Sequence, residues 1–350
     1  MCCGAGGVGK TTTAAAIALR AAERHGRRTV VLTIDPARRL AQALGLTELD
    51  NTPRQVKGVG GGELHAMMLD MKRTFDEVVL AHTDPKRAEE IFANPFYQAM
   101  SSTFSGTQEY MAMEKLGQLR TRDEWDLIVV DTPPSRSALD FLDAPARLAR
   151  FLDGRMLRLL MAPARAGGRS MFTLVTASFG VFSRAVQRIL GAQLLTDLSG
   201  FVAALDSMFG GFRERAEQTY RVLQDRQTAF LVVAAPEPDA IREAAYFARR
   251  LGEERMPLAG LVLNRVHVVE AAELSADDSV VAAERLTSEH PETADALRIH
   301  AGLVRRAGRE AEVAADFRRA HPGVRVATVA ALPTDVHDLD GLRAIVAALR

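Results

Sequence analysis

Cysteine and aromatic side chains are scarce in this chain. There are two cysteines in 350 residues, Cys2 and Cys3, adjacent at the very start. Adjacent cysteines cannot build a disulfide framework, and without a C-x-x-C or a Cys/His cluster the sequence offers no structural zinc site. Charge of one sign is missing too. Forty-four basic residues balance 44 acidic ones, so no overall field draws the protein to nucleic acid or to an anionic lipid surface. Long apolar runs are absent as well: the longest uncharged apolar stretch, Met171 to Phe182, is too short to span a bilayer. The sequence shows no secretory signal. Together these absences favour a reducing, cytoplasmic setting.

Against that background one motif stands out. Gly4-Ala5-Gly6-Gly7-Val8-Gly9-Lys10-Thr11, followed by Thr12 and Thr13, fits G-x-x-x-x-G-K-[ST]. Gly6, Gly7 and Gly9, with Val8 between them, let successive backbone N–H groups curl around phosphates without a Cβ in the way. Lys10 is suited to the β and γ oxygens and Thr11 to Mg²⁺, with Thr12 beside them. The Ala-rich helix from Thr11 to about Glu23 adds the positive end of its dipole. The motif predicts binding of ATP with Mg²⁺.

Six short apolar runs read as strands: Thr29–Ile34, Glu63–Leu69, Asp126–Val130, Ala229–Ala235, Leu258–Leu263 and Val324–Ala330. They lack strict alternation, as strands buried on both faces do. Helical patterns separate them, which predicts an α/β fold with a doubly wound, mostly parallel sheet. Residues 1–350 read as a single domain with helical insertions at about 71–120 and 142–226. A loop of this kind normally follows a buried strand, yet only Met1, Cys2 and Cys3 precede Gly4. Either that first strand is missing or another segment fills its place. The polar segment Ala271–Ala294 reads as a loop, and a long charged helix follows from about Glu292 to Ala320.

Ligands in such sheets sit beyond the carboxyl ends of the strands. Asp35, in Thr33-Ile34-Asp35-Pro36-Ala37, either orients the attacking water of a phosphoryl transfer or caps the helix beginning at Pro36. Asp131 ends the apolar run Asp126–Val130, where it either helps hold Mg²⁺ or serves as a turn residue. Asn264 offers a paired donor and acceptor suited to an adenine edge, and Arg265 follows it. Pro333 and Asp335, in Leu332–Asp335, stand where they could wall the base.

In this order the motifs resemble the arsenite-transporting and guided-entry ATPase family, within the deviant-Walker group of P-loop NTPases. The likeness is closest to its actinobacterial members. Gly4–Thr12 is similar to GKGGVGKTT, Thr33–Ala37 to TDPA and Asp131–Leu139 to DTAPTGHTL. Ala235-Pro236-Glu237, Leu263-Asn264-Arg265 and Leu332–Asp335 match later landmarks. The resemblance implies phosphate, Mg²⁺ and water-positioning roles for Lys10, Thr11, Asp131 and Asp35, and adenine contact for Asn264. It also implies a dimer whose opening and closing controls a helical apolar surface.

Departures from the family pattern qualify these implications. The family's signature Lys, which reaches across the dimer to the facing nucleotide, is Ala5 here. That substitution points to a heterodimer with a paralogous ATPase, or to a hydrolysis-poor regulatory subunit, as alternatives to a homodimer. Arg38 stands where the family keeps a His and is a candidate substitute cation. The metalloid-binding cysteines are absent, so arsenite binding by thiols is not expected. The insert Ser170–Phe212, rich in Met and Phe, is either core and dimer interface or a groove for a membrane-protein client. A partition or MinD-type ATPase is the remaining alternative. Zero net charge opposes the DNA version, and Arg343 and Arg350 alone supply basic charge to the C-terminal helix, which opposes a membrane tail.

Overall fold

The computed structural model describes residues 1–35, 39–95, 97–98, 101, 107–133, 217–271 and 273–349. Two compact units divide the chain. The first comprises Met1–Met68, Leu119–Leu139 and Val222–Arg350, and the second Leu69–Gln118 and Asp140–Arg221.

The first unit is an eight-stranded sheet with helices. Its strands are β1 (Cys2–Cys3), β2 (Arg28–Thr33), β3 (Arg54–Gln55), β4 (Glu63–Met68), β5 (Leu127–Asp131), β6 (Phe230–Ala234), β7 (Leu258–Val266) and β8 (Val326–Ala330). They lie in the order β3-β4-β2-β5-β1-β6-β7-β8. Every pairing is parallel except that of β3 with β4. The six strands expected from apolar runs all form, and only β7 runs well past its expected end, to Val266 instead of Leu263. Their side chains show why they form: Val30, Val31, Leu32, Val130, Val232, Val233, Leu261 and Val262 are all buried. Such strands need cover on both faces, which a doubly wound α/β layer supplies.

The central place beside the phosphate loop is held by β1, only two residues long. Cys2 pairs with Asp131 on one side and Leu231 on the other, and Cys3 pairs with Val232. The Met1 carbonyl accepts from the Leu231 N–H at 2.8 Å, extending that ladder by one bond. Cys2 and Cys3, just ahead of Gly4, thus form a strand too short to register as an apolar run.

Helix α1 (Lys10–His25) follows the loop and buries Ala14, Ala15, Ala16, Ala18, Leu19, Ala21 and Ala22. Small side chains let it lie close on the sheet. It ends at Gly26, whose left-handed φ of 61° a Cβ would resist, and whose N–H donates to the Ala22 carbonyl at 3.1 Å. Further helices of this unit are α2 (Arg39–Ala43), α6 (Pro238–Glu253), α7 (Ala276–Leu286), α8 (Pro291–Ala320) and α9 (Leu339–Ala348). Helix α7 corrects the reading of Ala271–Ala294 as a loop. Ser275 caps it, accepting from the Asp278 N–H, and it pairs with α8 largely through small side chains such as Ala283, Ala294 and Ala301.

The described part of the second unit contains α3 (Met71–His82), α4 (Pro85–Ala93) and α5 (Thr107–Thr121) as far as Gln118. Asp70 and Asp84 cap the first two through the N–H groups of Arg73 and Arg87. Inside this unit the Tyr97 hydroxyl donates to Asp76 at 2.5 Å, and the buried ammonium of Lys115 donates to Glu77 at 2.9 Å. The Met- and Phe-rich insert Ser170–Phe212 lies outside the described residues, as do Pro36, Ala37 and Arg38.

Candidate active site

The carboxyl ends of β2, β5, β1, β6, β7 and β8 converge on one rim of the sheet. Chain direction reverses there: from β1 the chain crosses through α1 to β2 on one flank, while β6 lies on the other. Ligands in open α/β sheets bind at such a switch point.

The loop from Gly4 to Gly9 joins β1 to α1 and is shaped by glycine. Gly4 has φ 146°, and a Cβ there would stand 2.0 Å from the Val233 carbonyl oxygen of β6. Gly9 has φ 90°, and a Cβ would meet Asn264 Nδ2 at 2.2 Å. The loop is therefore wedged against two strands, and only glycine fits at both ends. Val8 is buried while Gly6 and Gly7 form the exposed crest. Asn264 Nδ2 donates to the Val8 carbonyl at 2.8 Å, bracing the crest from β7.

Gly9 is also the residue that caps α1. No side chain caps that helix, and its first turn carries no acid. Its leading N–H groups and dipole are thus directed at the loop, which makes an anion site. Lys10 is buried, with Nζ donating to the Ala5 carbonyl at 2.7 Å. Burial lowers the pKa of this ammonium, opposed chiefly by the negative charge of Asp131. Thr11 and Thr12 follow on the first turn, half-buried.

Asp131 ends β5 and is completely buried. Its Oδ2 accepts from Thr33 Oγ1 at 3.0 Å, whereas Oδ1 has no hydrogen-bond partner. Burial raises its pKa from the ordinary 3.8 to about 6, against the pull of the Thr11 and Thr33 hydroxyls and Lys10. A carboxylate oxygen left bare inside a protein is costly unless a cation or donor meets it. A hard divalent cation takes oxygen donors of this kind, so the residues present fit Mg²⁺. Asp35 lies one strand away, half-buried just beyond β2. There the Ile34 N–H donates to the Asp131 carbonyl at 3.0 Å, tying the two carboxyl ends together.

Beyond α1 a cavity of about 330 Å³ opens along the same rim. Gly9 and Thr12 border it at the loop, Pro236 and Glu237 beyond β6, Asn264 and Arg265 on β7, and Leu332, Thr334 and Asp335 beyond β8. Pro333 sits between two lining residues without belonging to the lining itself. Arg265 has φ 62°, a left-handed conformation costing roughly 1–2 kcal/mol in a residue with a Cβ. The strain falls where β7 shifts register against β8 between Leu263 and Val266. A bulge of this sort turns side chains out of the ladder.

Three lining residues carry no local sequence motif: His267, Arg306 and Glu310. Glu310, on α8, accepts from the His267 N–H at 2.8 Å through Oε2. Its Oε1 meets His267 Nδ1 at 2.8 Å and Arg306 Nε at 3.1 Å. Residues 306 and 310 share one face of α8 at i, i+4 spacing, but His267 lies 43 residues upstream, so only the fold unites them.

The family model of anion-transporting ATPases matches residues 1–287. The chain belongs to that family. Its members are ATP-hydrolysing enzymes, which accounts for the phosphate loop and for Lys10 at the head of α1. Over 267 residues the chain is 25% identical to the ATPase ASNA1 homolog 1 of Paramecium tetraurelia, covering 75% of this chain and 73% of the relative. It is 32% identical over 244 residues to an uncharacterised protein of Streptomyces coelicolor, covering 68% and 55%. With ATPase GET3B of Arabidopsis thaliana it shares 25% identity over 284 residues, covering 75% and 62%. The chain thus spans under two thirds of the length of the last two. Among the described residues no helix is long and apolar enough to cross a membrane.

Proposed function

We propose that this family member binds Mg²⁺-ATP on the Gly4–Thr11 loop and hydrolyses it through a water oriented by Asp35. The observation that carries the proposal is the bare Oδ1 of Asp131, buried beside Lys10 and the uncapped N-terminus of α1. Thr11 and Asp131 would hold Mg²⁺, which supplies neutralising charge to the phosphates. The loop N–H groups and Lys10 bind the phosphate oxygens and stabilise charge as it shifts during in-line displacement. Asp35 accepts hydrogen bonds from the attacking water and aims it. Phosphoryl transfer needs such positioning more than covalent help from the protein.

Replacing Lys10 with Ala, or Asp35 with Asn, is expected to lower steady-state phosphate release by at least about 100-fold. Phosphate release at the unmodified rate in both variants would refute the assignment.

We further infer that the enzyme works as a dimer, in the cytoplasm, with nucleotide-driven opening and closing that controls a helical surface. That surface would receive a membrane-protein client or face a membrane, and nucleic acid is not a partner. The resemblance to guided-entry ATPases and the zero net charge support this reading. Thiol capture of arsenite is no part of it. Cys2 and Cys3 are buried within β1, and burial pushes their thiols up to about 12 and about 11, far from the thiolate that ligates metalloids.

Ala5 favours a second reading, in which the chain is the weaker ATPase of a heterodimer with a paralogue. Phosphate release by the chain alone, compared with release after adding the paralogue, separates the two.

A further inference from the structure

We propose that His267, held by Glu310, selects the base of the bound nucleotide, accepting a hydrogen bond from the 6-amino group of adenine. This rests on the nucleotide-binding reading above and adds to it the residues that discriminate one base from another.

The argument begins with what the other polar groups are doing. Lys10 and the uncapped end of α1 take the phosphate end of the site. Asn264, the residue best suited by type to read a base, spends an amide N–H on the Val8 carbonyl. Along the cavity, Glu310, His267 and Arg306 form a second polar cluster. Glu310 is 6% exposed, and both its oxygens are engaged. A carboxylate only accepts, so His267 Nδ1 must carry the proton. In the neutral ring, a proton on Nδ1 leaves Nε2 as an acceptor.

Arg306 completes the pattern. Its Nε is committed to Glu310, and the guanidinium, half-exposed, keeps its terminal nitrogens as donors. An acceptor beside a donor matches adenine on either accessible edge, where the 6-amino group adjoins the acceptor N1 or N7. Guanine presents a keto oxygen at the same position. Against Nε2 that would set acceptor against acceptor and leave a buried polar group unpaired, which costs about tenfold or more in affinity.

Arg306 and Glu310 lie on α8, Pro291–Ala320, beyond residues 1–287 matched by the family model. Two of the three residues of this base-reading cluster therefore come from a part of the chain outside the matched segment, and His267 from inside it. A carboxylate that merely tied α8 to β7 would serve equally well away from the cavity, whereas this one and both its partners line it.

The test is equilibrium binding of fluorescent ADP and GDP derivatives to the full chain with Mg²⁺. The unmodified protein is expected to prefer the adenine nucleotide at least tenfold. His267→Phe, which keeps a ring of similar shape without Nε2, should reduce that preference about tenfold while GDP binding persists. Glu310→Gln should reduce it less, because Nδ1 is then no longer held by a carboxylate. Thermal melts establish that both variants fold, and Arg306→Lys serves as a milder third variant. An unchanged preference in folded His267→Phe would overturn the proposal, as would equal loss of both nucleotides; in either case the nucleotide site stands. If the unmodified protein binds neither nucleotide, the nucleotide reading falls, and this one with it.

Discussion

Asp131 joins two demands that pull against each other. Its carboxyl is buried at the end of β5 with one oxygen bare, and burial lifts its pKa from 3.8 to about 6. In the metal-free protein the native state therefore holds a proton that the unfolded chain releases near pH 4. Between about pH 4 and 6 the native state binds more protons than the unfolded one, so stability declines as pH rises and levels off above pH 6. A rise of that size corresponds to roughly 3 kcal/mol. Asp131→Asn removes the ionisation, and in metal-free buffer at pH 7.5 it should raise stability by about 1–3 kcal/mol in urea melts. The same variant should lose Mg²⁺-dependent nucleotide binding. A variant no more stable than the unmodified protein at pH 7.5 would show that the buried charge is already compensated. On the proposed reading the residue trades stability for a cation site, a pattern expected where function and packing compete.

At the scale of elements, α9 shows which contacts hold the site's border in place. It packs on α1 and buries Leu342, Ile345 and Val346, and Ile345 also lines the cavity. Arg343 on the same helix bonds Glu23 of α1 at 2.6 Å and the Gly58 carbonyl at 2.9 Å. Of these two kinds of contact, the apolar ones should dominate. Arg343 is 40% exposed, and solvent-screened pairs contribute roughly 0–1 kcal/mol. Leu342 is fully buried, and truncating such a side chain costs about 2–5 kcal/mol. Chemical denaturation should accordingly give Leu342→Ala a loss several times that of Arg343→Ala. Comparable losses would mean that the Arg343 network acts as a unit.

Elements also differ in how openly the sequence announces them. Strands β2, β5, β6 and β7 are apolar runs because they are largely buried. Strand β4 and the edge strand β8, only partly buried, still carry enough apolar residues for the pattern to show locally. β1 is two cysteines long and β3 is a short antiparallel edge, Arg54–Gln55; neither carries enough residues to show periodicity. α7 is hidden by its polar composition, although Ser275 and Asp278 already spell its cap. The phosphate loop, Asp35 and Asp131 are legible because each sits at a strand end in its own motif. His267, Arg306 and Glu310 are not, since a long-range carboxylate clamp leaves no signature in neighbouring residues. Nor could composition reveal that an amide of Asn264 braces the loop.

For the whole molecule the open question is how the site is completed. Ala5 is half-buried beneath the loop crest, and its carbonyl already receives Lys10. Only its side chain differs from the family pattern, in which a Lys at this place reaches the nucleotide of the facing subunit. If the loop is otherwise intact, restoring that side chain should restore what is missing without disturbing Lys10. Ala5→Lys is therefore expected to raise phosphate release by about 10-fold or more, since a cation supplied in trans acts on the transition state. The gain should depend on protein concentration, because it requires two chains to meet, and should vanish when Lys10 is also replaced by Ala. A gain independent of concentration would place the new ammonium on its own subunit's nucleotide. No gain at any concentration, in a variant that still binds ADP, would show that this chain does not face a second copy of itself. The heterodimer reading would then prevail, with a paralogue supplying the cation that this loop lacks.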